Sequence, residues 1–196
     1  MSSKPQPLKQ AVVLGPTILE LNNRLRRALI SSQQNAIKAI KQVLEAGANP
    51  NIEMGYPGRR GISALGRIAM RGDVDVADLL IKHGANVNYQ NRVHPNHTVL
   101  MKAIIQGHAN MVELLLNRGA NPDTPSHQGI TPLMMAVQTN NIAVVRLLLM
   151  AGADMEAMDF RGRTALDFAD NDIRRMLVEA ALPMQPPRVK SAKKTT

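Results

Sequence analysis

Four histidines could supply metal ligands by residue type: His83, His94, His97 and His127. Imidazole nitrogens bind zinc, so His94 and His97 could form a pair with His83 or His127 as the third ligand. The pair surrounds Pro95 in a segment predicted to be extended, where a rigid three-ligand site is not expected, and the chain has no cysteine to assist. We interpret these residues as polar surface histidines, and we expect no metal and no cofactor.

Other catalytic patterns are also missing from the sequence. The Gly55-Tyr56-Pro57-Gly58 segment is a turn signal and lacks the lysine of a phosphate-binding loop. No serine stands in a nucleophile elbow. The sequence therefore does not predict an enzyme.

Aromatic and arginine side chains occur close together along the chain. Of only four aromatic residues, three have arginines nearby in sequence: Tyr56, Tyr89 and Phe160. The neighbouring arginines are Arg59, Arg60, Arg92, Arg161 and Arg163. Aromatic residues and arginine are typical anchors of binding surfaces, and the guanidinium group matches carboxylate and phosphate geometry. This pattern predicts a surface that captures an acidic or phosphorylated peptide segment.

A repeated pattern must position these side chains. Gly-Ala-Asn or Gly-Ala-Asp follows an apolar run four times, with spacings of 37, 35 and 33 residues, beginning at Gly47, Gly84, Gly119 and Gly152. A Ser- or Thr-initiated triplet ending in Leu also recurs, beginning at Ser63, Thr98, Thr131 and Thr164. Ser and Thr cap helix starts, and glycine suits a left-handed helix end. Each unit is therefore predicted to be helix, turn, helix and an extended segment, here called a finger.

Self-similarity at this period indicates a solenoid, and the motifs resemble the ankyrin repeat. The family signature is Thr-Pro-Leu-His, then Gly-His, Leu-Leu-Leu and Gly-Ala-Asp-Val-Asn, and the match is strong in residues 61–88, 97–123 and 129–156. This chain departs from the signature histidine, in whose place stand Gly66, Met101, Met134 and Asp167. The resemblance implies an all-α solenoid of about five repeats.

The expected organisation is one repeat domain between two basic ends. Residues 1–16 and 183–196 are predicted to be disordered basic tails, and residues 17–182 the ankyrin-repeat domain. In addition to the three repeats above, an opening repeat is expected at about residues 22–51 and a closing one at about 162–182. The net charge of +9 arises largely in the ends, because they contain basic residues and no acid.

The resemblance also implies where a partner binds, since fingers and first helices line one face of an ankyrin stack. That face would add Met70, Arg71, Ile105, Gln106 and Gln138 to the finger residues. The complete set of residues expected to contact a partner is Tyr56, Arg59, Arg60, Met70, Arg71, Tyr89, Arg92, His94, Ile105, Gln106, His127, Gln138, Phe160 and Arg161.

We therefore expect a protein–protein interaction module that acts as an adaptor, scaffold or inhibitor. The alternative is a nucleic-acid-associated protein that uses the basic tails and the aromatic and basic fingers, although the chain outside the ends is nearly balanced in charge. No apolar run of 18 residues predicts a membrane span. The expected location is cytoplasmic, with the nucleus or delivery into a host cell as alternatives, and the expected state is a monomer or part of a hetero-complex.

Overall fold

A computed structural model describes residues 15–31, 36–55, 61–91 and 95–181. The chain divides into two compact units, Met1–Asn49 and Pro50–Thr196. Within the described residues the α-helices are α1 Ile18–Ile30, α2 Ala36–Glu45, α3 Ala64–Arg71, α4 Val74–Lys82, α5 Val99–Ile105, α6 Ala109–Asn117, α7 Pro132–Gln138, α8 Ile142–Met150 and α9 Asn171–Ala181. One 3-10 helix covers Ala165–Phe168.

The first unit contains the two packed helices α1 and α2. Thr17 and Glu20 form a reciprocal capping box that opens α1, because the hydroxyl and carboxylate each accept an otherwise unpaired backbone N–H. Leu21, Leu25 and Leu29 are buried along one side of this helix. The second helix lies within the predicted opening repeat at about residues 22–51, and α1 begins before it, at Ile18.

The second unit is built from helix pairs arranged in two layers. The first helices α3, α5 and α7 pack side by side, and α7 also packs against the 3-10 helix. The second helices α4, α6 and α8 form the other layer, again packed in chain order. Leu65, Leu100 and Leu133, from the recurring triplets, are almost completely buried. This arrangement is the predicted solenoid, in which each helix pair buries its apolar side against its neighbours.

The predicted helix boundaries follow from local capping. The side-chain oxygens of Ser63, Thr98 and Thr131 accept the N–H groups of the third helical residues of α3, α5 and α7. The four repeated glycines have φ between +79° and +98°, a conformation that a side chain disfavours. The repeated glycines therefore end the second helices as predicted.

The last repeat differs from the others in its first helix. The triplet at Thr164 leads into the short 3-10 helix instead of an α-helix, and Leu166 is partly exposed. The Thr164 hydroxyl and backbone N–H both donate to the Asp167 carboxylate. The distance from Thr164 to Leu177 is three residues shorter than the equivalent interval from Thr131 to Leu147, which leaves too few residues for a full α-helix and its turn.

The fingers contain the strand structure of the described residues. Glu53–Met54 (β1) pairs antiparallel with Ile62–Ser63 (β2), and Gln90 forms an isolated antiparallel bridge with Thr98. These short pairings are the extended segments that the sequence predicts between helix pairs. They hold the two ends of the first two fingers together at the start of the next first helix.

A ladder of side chains joins successive fingers. The Oδ1 atoms of Asn51, Asn88 and Asp123 accept backbone N–H groups from the next repeat, 31 to 35 residues later, at 2.7 to 2.8 Å. Asn51 and Asn88 also donate from Nδ2 to carbonyl oxygens of that repeat, at 2.9 and 3.0 Å. We call these three side chains the rungs. They join neighbouring repeats through their exposed edge, in addition to the apolar core.

Replacement of Asp123 by asparagine is expected to stabilise the fold. The Asp123 carboxylate lacks the Nδ2 donor with which Asn51 and Asn88 bond the glycine carbonyl of the next repeat. At the position of Asp123, the glycine carbonyl of the next repeat is that of Gly152. Asp123→Asn supplies that donor, and the free energy of unfolding should rise by about 1 kcal/mol. Denaturant unfolding at neutral pH measures the change, with the exposed Asp172→Asn as the control for loss of charge. Unchanged or lower stability would contradict the proposed equivalence of the three rungs.

Candidate functional site

Two grooves on the second unit contain six of the predicted contact residues. The first, here called the finger groove, has a volume of about 430 Å³ and is formed by the last two fingers. Its lining residues are His127, Gln128, Ile130, Asp159, Phe160, Arg161 and Arg163. His127, Phe160 and Arg161, predicted separately from the sequence, thus lie at one place.

Asp159 determines the shape of this groove. Its side chain is only 2% exposed, and its Oδ1 accepts the backbone N–H groups of Arg161 and Arg163 at 2.8 and 2.9 Å. Its Oδ2 accepts two further bonds from the Arg163 guanidinium, at 2.9 and 2.7 Å. Burial by itself would raise the pKa of the Asp159 carboxyl, but the hydrogen bonds from Arg163 and Arg161 lower it below its usual value.

Arg161 and Arg163, on either side of the same turn, have different side-chain contacts. The guanidinium of Arg163 also lies 4.4 Å from the ring centroid of Phe168, a cation–π distance, so it connects the finger to the 3-10 helix. Arg161 is exposed, and within the described residues its side chain forms no hydrogen bond or ion pair. The Arg161 guanidinium is therefore available to a ligand, whereas that of Arg163 is structural.

Phe160 is held outward by its backbone. Its side chain is 80% exposed, while its N–H donates to the carbonyl of Gln128 at 3.2 Å. A Cβ atom on Gly129 would lie 2.9 Å from the Phe160 backbone nitrogen, and Gly129 has φ +77°. Glycine at this position thus permits the close approach of the two fingers that presents the Phe160 ring to solvent.

The second groove, here called the lysine groove, has a volume of about 290 Å³ and lies where α3 and α5 meet the second finger. Its lining residues are Ile62, Met70, Asn91, Pro95, His97, Lys102, Ile105 and Gln106. Met70 is 38% exposed and Ile105 is 42% exposed. Three residues predicted from the face of first helices, Met70, Ile105 and Gln106, therefore lie in this groove.

The remaining predicted contact residues lie elsewhere. The Tyr89 hydroxyl donates to Glu53 Oε1 at 2.8 Å, across two fingers, and Arg71 forms an ion pair with Asp73 at 2.8 Å. Gln138 is exposed at the end of α7, outside the lining of both grooves. The other predicted residues lie outside the described part of the chain: Tyr56, Arg59, Arg60, Arg92 and His94.

Sequence reasoning missed Lys102, because the repeats give no clear signal for it. The position four residues after the capping residue is Lys102 after Thr98, Met135 after Thr131 and Phe168 after Thr164, but it is Arg67 after Ser63. A cation at this position is therefore found in two of the four repeats. Arg67 is exposed and Lys102 is buried, and comparison of the repeats does not predict that difference.

Two of the described histidines contact backbone carbonyls. His83 Nδ1 lies 2.9 Å from the Leu79 carbonyl, and His108 Nε2 lies 3.2 Å from the Met70 carbonyl. Among the described residues, no three His, Asp or Glu side chains are grouped to hold a metal ion. Within the same residues, no helix combines the length and apolar character that crossing a bilayer requires.

Comparison with known families agrees with this architecture. A family model described as ankyrin repeats (3 copies) matches residues 25–126, and a second, described as ankyrin repeats (many copies), matches residues 117–169. The chain belongs to the ankyrin-repeat family. The resemblance inferred from the sequence is thus confirmed. Ankyrin repeats are protein–protein interaction modules, and the family is typically non-enzymatic.

Similar proteins share these repeats over part of their lengths. The human ankyrin repeat and SOCS box protein 6 is 32% identical over 120 residues, which is 59% of this chain and 27% of that protein. An ankyrin repeat protein of Acanthamoeba polyphaga mimivirus is 33% identical over 105 residues, covering 52% of this chain and 63% of the viral protein. The ankyrin-repeat chain thus spans about a quarter of the first relative and less than two thirds of the second.

Proposed function

We propose that this ankyrin-repeat protein captures a partner protein through an acidic or phosphorylated segment, and that the finger groove receives that segment. The observation that carries the proposal is the exposed Phe160 ring next to the uncommitted Arg161 guanidinium. An aromatic ring contributes a large apolar contact, and a guanidinium fork recognises a carboxylate or phosphate. Together they suit a segment with an apolar residue beside an anionic one.

The rigidity of the groove supports this function. The Asp159 carboxylate accepts four hydrogen bonds within its finger, and Phe160 is tied through its backbone to the preceding finger. A surface that is already in its binding conformation loses less conformational entropy when a partner docks. The proposed action is steric and electrostatic capture on a preformed surface, as an adaptor, scaffold or inhibitor, with no covalent chemistry.

Combined replacement of Phe160 and Arg161 is expected to abolish most of the capture. Phe160→Ala/Arg161→Ala removes the apolar contact and the fork together, and affinity should fall by at least about tenfold. The partner is first recovered from a lysate of the source organism on the intact chain and identified by mass spectrometry. Its affinity for both proteins is then measured by calorimetry.

The matched control is Met150→Ala/Arg146→Ala on α8. Met150 and Arg146 are exposed on α8 and do not line either groove. The control therefore removes one exposed apolar side chain and one exposed arginine, as the double variant does, but from outside the finger groove. Its affinity should equal that of the intact chain. If both double variants bind the partner with equally reduced affinity, or if neither variant loses affinity, the partner does not bind specifically in the finger groove.

A further inference from the structure

Lys102 is a buried cation with little electrostatic compensation. The residue is 8% exposed, and its Nζ donates to the carbonyl of His97 at 2.9 Å. This is the one hydrogen bond that the ammonium makes within the described residues, although an ammonium has three donors. The described lining of the lysine groove includes no acidic side chain. Burial lowers the pKa of the Lys102 ammonium below its usual value.

Lys102 passes close to the preceding repeat. Gly66 on α3 replaces the histidine of the ankyrin signature, and a Cβ atom there would lie 3.4 Å from Lys102 Cδ, an ordinary contact distance. The aliphatic stem of Lys102 therefore runs beside α3, and its Nζ reaches the second finger. Burying an ammonium without a counter-ion costs free energy that a methionine at this position would not cost.

We propose that Lys102 binds a carboxylate, an Asp or Glu side chain of the partner segment, while an apolar neighbour of that residue contacts Met70 and Ile105. This inference rests on the proposed function and adds a second recognition point to it. The bound carboxylate accepts the remaining Nζ donors and supplies the charge that the groove lacks. The exposed parts of Met70 and Ile105 lose contact with water in the same step.

A carboxylate fits this groove better than a phosphate does. Lys102 is the one Lys or Arg among its described lining residues, so those residues match the charge of one carboxylate and only part of the charge of a phosphate. The volume of about 290 Å³ lies at the lower end of ligand pockets. It suits one or two side chains of a peptide.

The test selects phage-displayed random linear peptides on the intact chain and on Lys102→Met. We expect the intact chain to enrich peptides in which an Asp or Glu adjoins an apolar residue. A selected peptide is then synthesised with its acid, with the matching amide and with phosphoserine in place of the acid. Loss of the carboxylate, or Lys102→Met, should each weaken binding at least about tenfold.

A double-mutant cycle identifies direct contact. If the peptide carboxylate touches Lys102, the amide peptide should bind the intact chain and Lys102→Met with nearly the same affinity. The amide has already lost the ion pair with Lys102, so the substitution has nothing further to remove. Additive losses would overturn the inference, and so would tighter binding of the phosphoserine peptide that depends on Lys102. The control Lys38→Met removes the same charge from an exposed site on α2 and should bind like the intact chain.

Folding and the proposed function are tested separately. Lys102→Met should remain folded and melt about 2 to 4 °C higher, because it removes the buried charge and the His97 carbonyl keeps the bond from Asn91 N–H. Selected peptides that ignore both Lys102 and the acid would overturn this inference and leave the proposed function intact. Failure of the intact chain to enrich any acidic peptide would overturn this inference, whereas the proposed function is tested independently by Phe160→Ala/Arg161→Ala.

Discussion

Replacement of Asp159 by asparagine is expected to destabilise the last repeat and to change the acid stability of the protein. The amide keeps an acceptor for the N–H groups of Arg161 and Arg163, but it loses the second acceptor that holds the Arg163 guanidinium. The Arg163 guanidinium should then also lose its contact with the Phe168 ring, because the same guanidinium binds Asp159 and lies over that ring. We expect the thermal midpoint at pH 7 to fall by about 5 °C or more.

The pH dependence follows from the direction of the Asp159 pKa. Because folding lowers the pKa of this carboxyl from its usual 3.8, its ionised form stabilises the folded state fully above that value. The stabilisation is lost as the pH falls from about 3.8 through the lowered pKa of the folded state. The difference in stability between the intact chain and Asp159→Asn should therefore be constant near neutral pH and shrink in acid.

Thermal unfolding followed by circular dichroism from neutral to acid pH measures this effect. Glu113→Gln is the matched control, because Glu113 is exposed and its side chain has no hydrogen bond within the described residues. It should match the intact chain at neutral pH. A difference between the intact chain and Asp159→Asn that does not shrink in acid would show that Asp159 acts through its shape and not its charge.

Asn88→Ala is expected to weaken the ladder at its centre. The substitution removes the Oδ1 acceptor of the Asn121 N–H and the Nδ2 donor to the Gly119 carbonyl, at 2.8 and 3.0 Å. Two lost hydrogen bonds at a solvent-accessible edge correspond to about 2 kcal/mol in the free energy of unfolding. Denaturant unfolding monitored by circular dichroism measures the loss.

The control for the rung is Asn117→Ala at the end of α6. Asn117 is exposed, and its side chain forms no hydrogen bond within the described part of the chain. This variant should unfold at the same denaturant concentration as the intact chain or slightly above it, since alanine favours a helix. If Asn88→Ala were as stable as Asn117→Ala, the rungs would contribute nothing beyond the buried core.

The features predicted from sequence are those that depend on nearby residues. The caps at Thr98 and Thr131 act three residues away, and the left-handed conformation at Gly47 follows from its own lack of a side chain. A repeated local pattern also defines the solenoid, because each helix pair packs on its neighbour. These parts of the fold could therefore be predicted from one chain.

The side-chain environments depend on residues about one repeat away and could not be predicted in this way. The buried stem of Lys102 lies beside Gly66 of the preceding helix pair. The type of Tyr89 predicts a binding anchor, and the hydrogen bond of its hydroxyl to Glu53, 36 residues earlier, does not follow from its sequence neighbours. The joint placement of His127, Phe160 and Arg161 likewise depends on the close approach of two fingers at Gly129.

The rungs also have a mechanical consequence. Each rung joins only one repeat to the next, so a force that stretches the solenoid between Asn51 and Asp154 loads the rungs in series. The rungs at Asn51 and Asn88 each have two hydrogen bonds between repeats, and the rung at Asp123 has one among the described contacts. Extension of this solenoid would therefore begin at the edge between Asp123 and Asp154, next to the two fingers that form the finger groove.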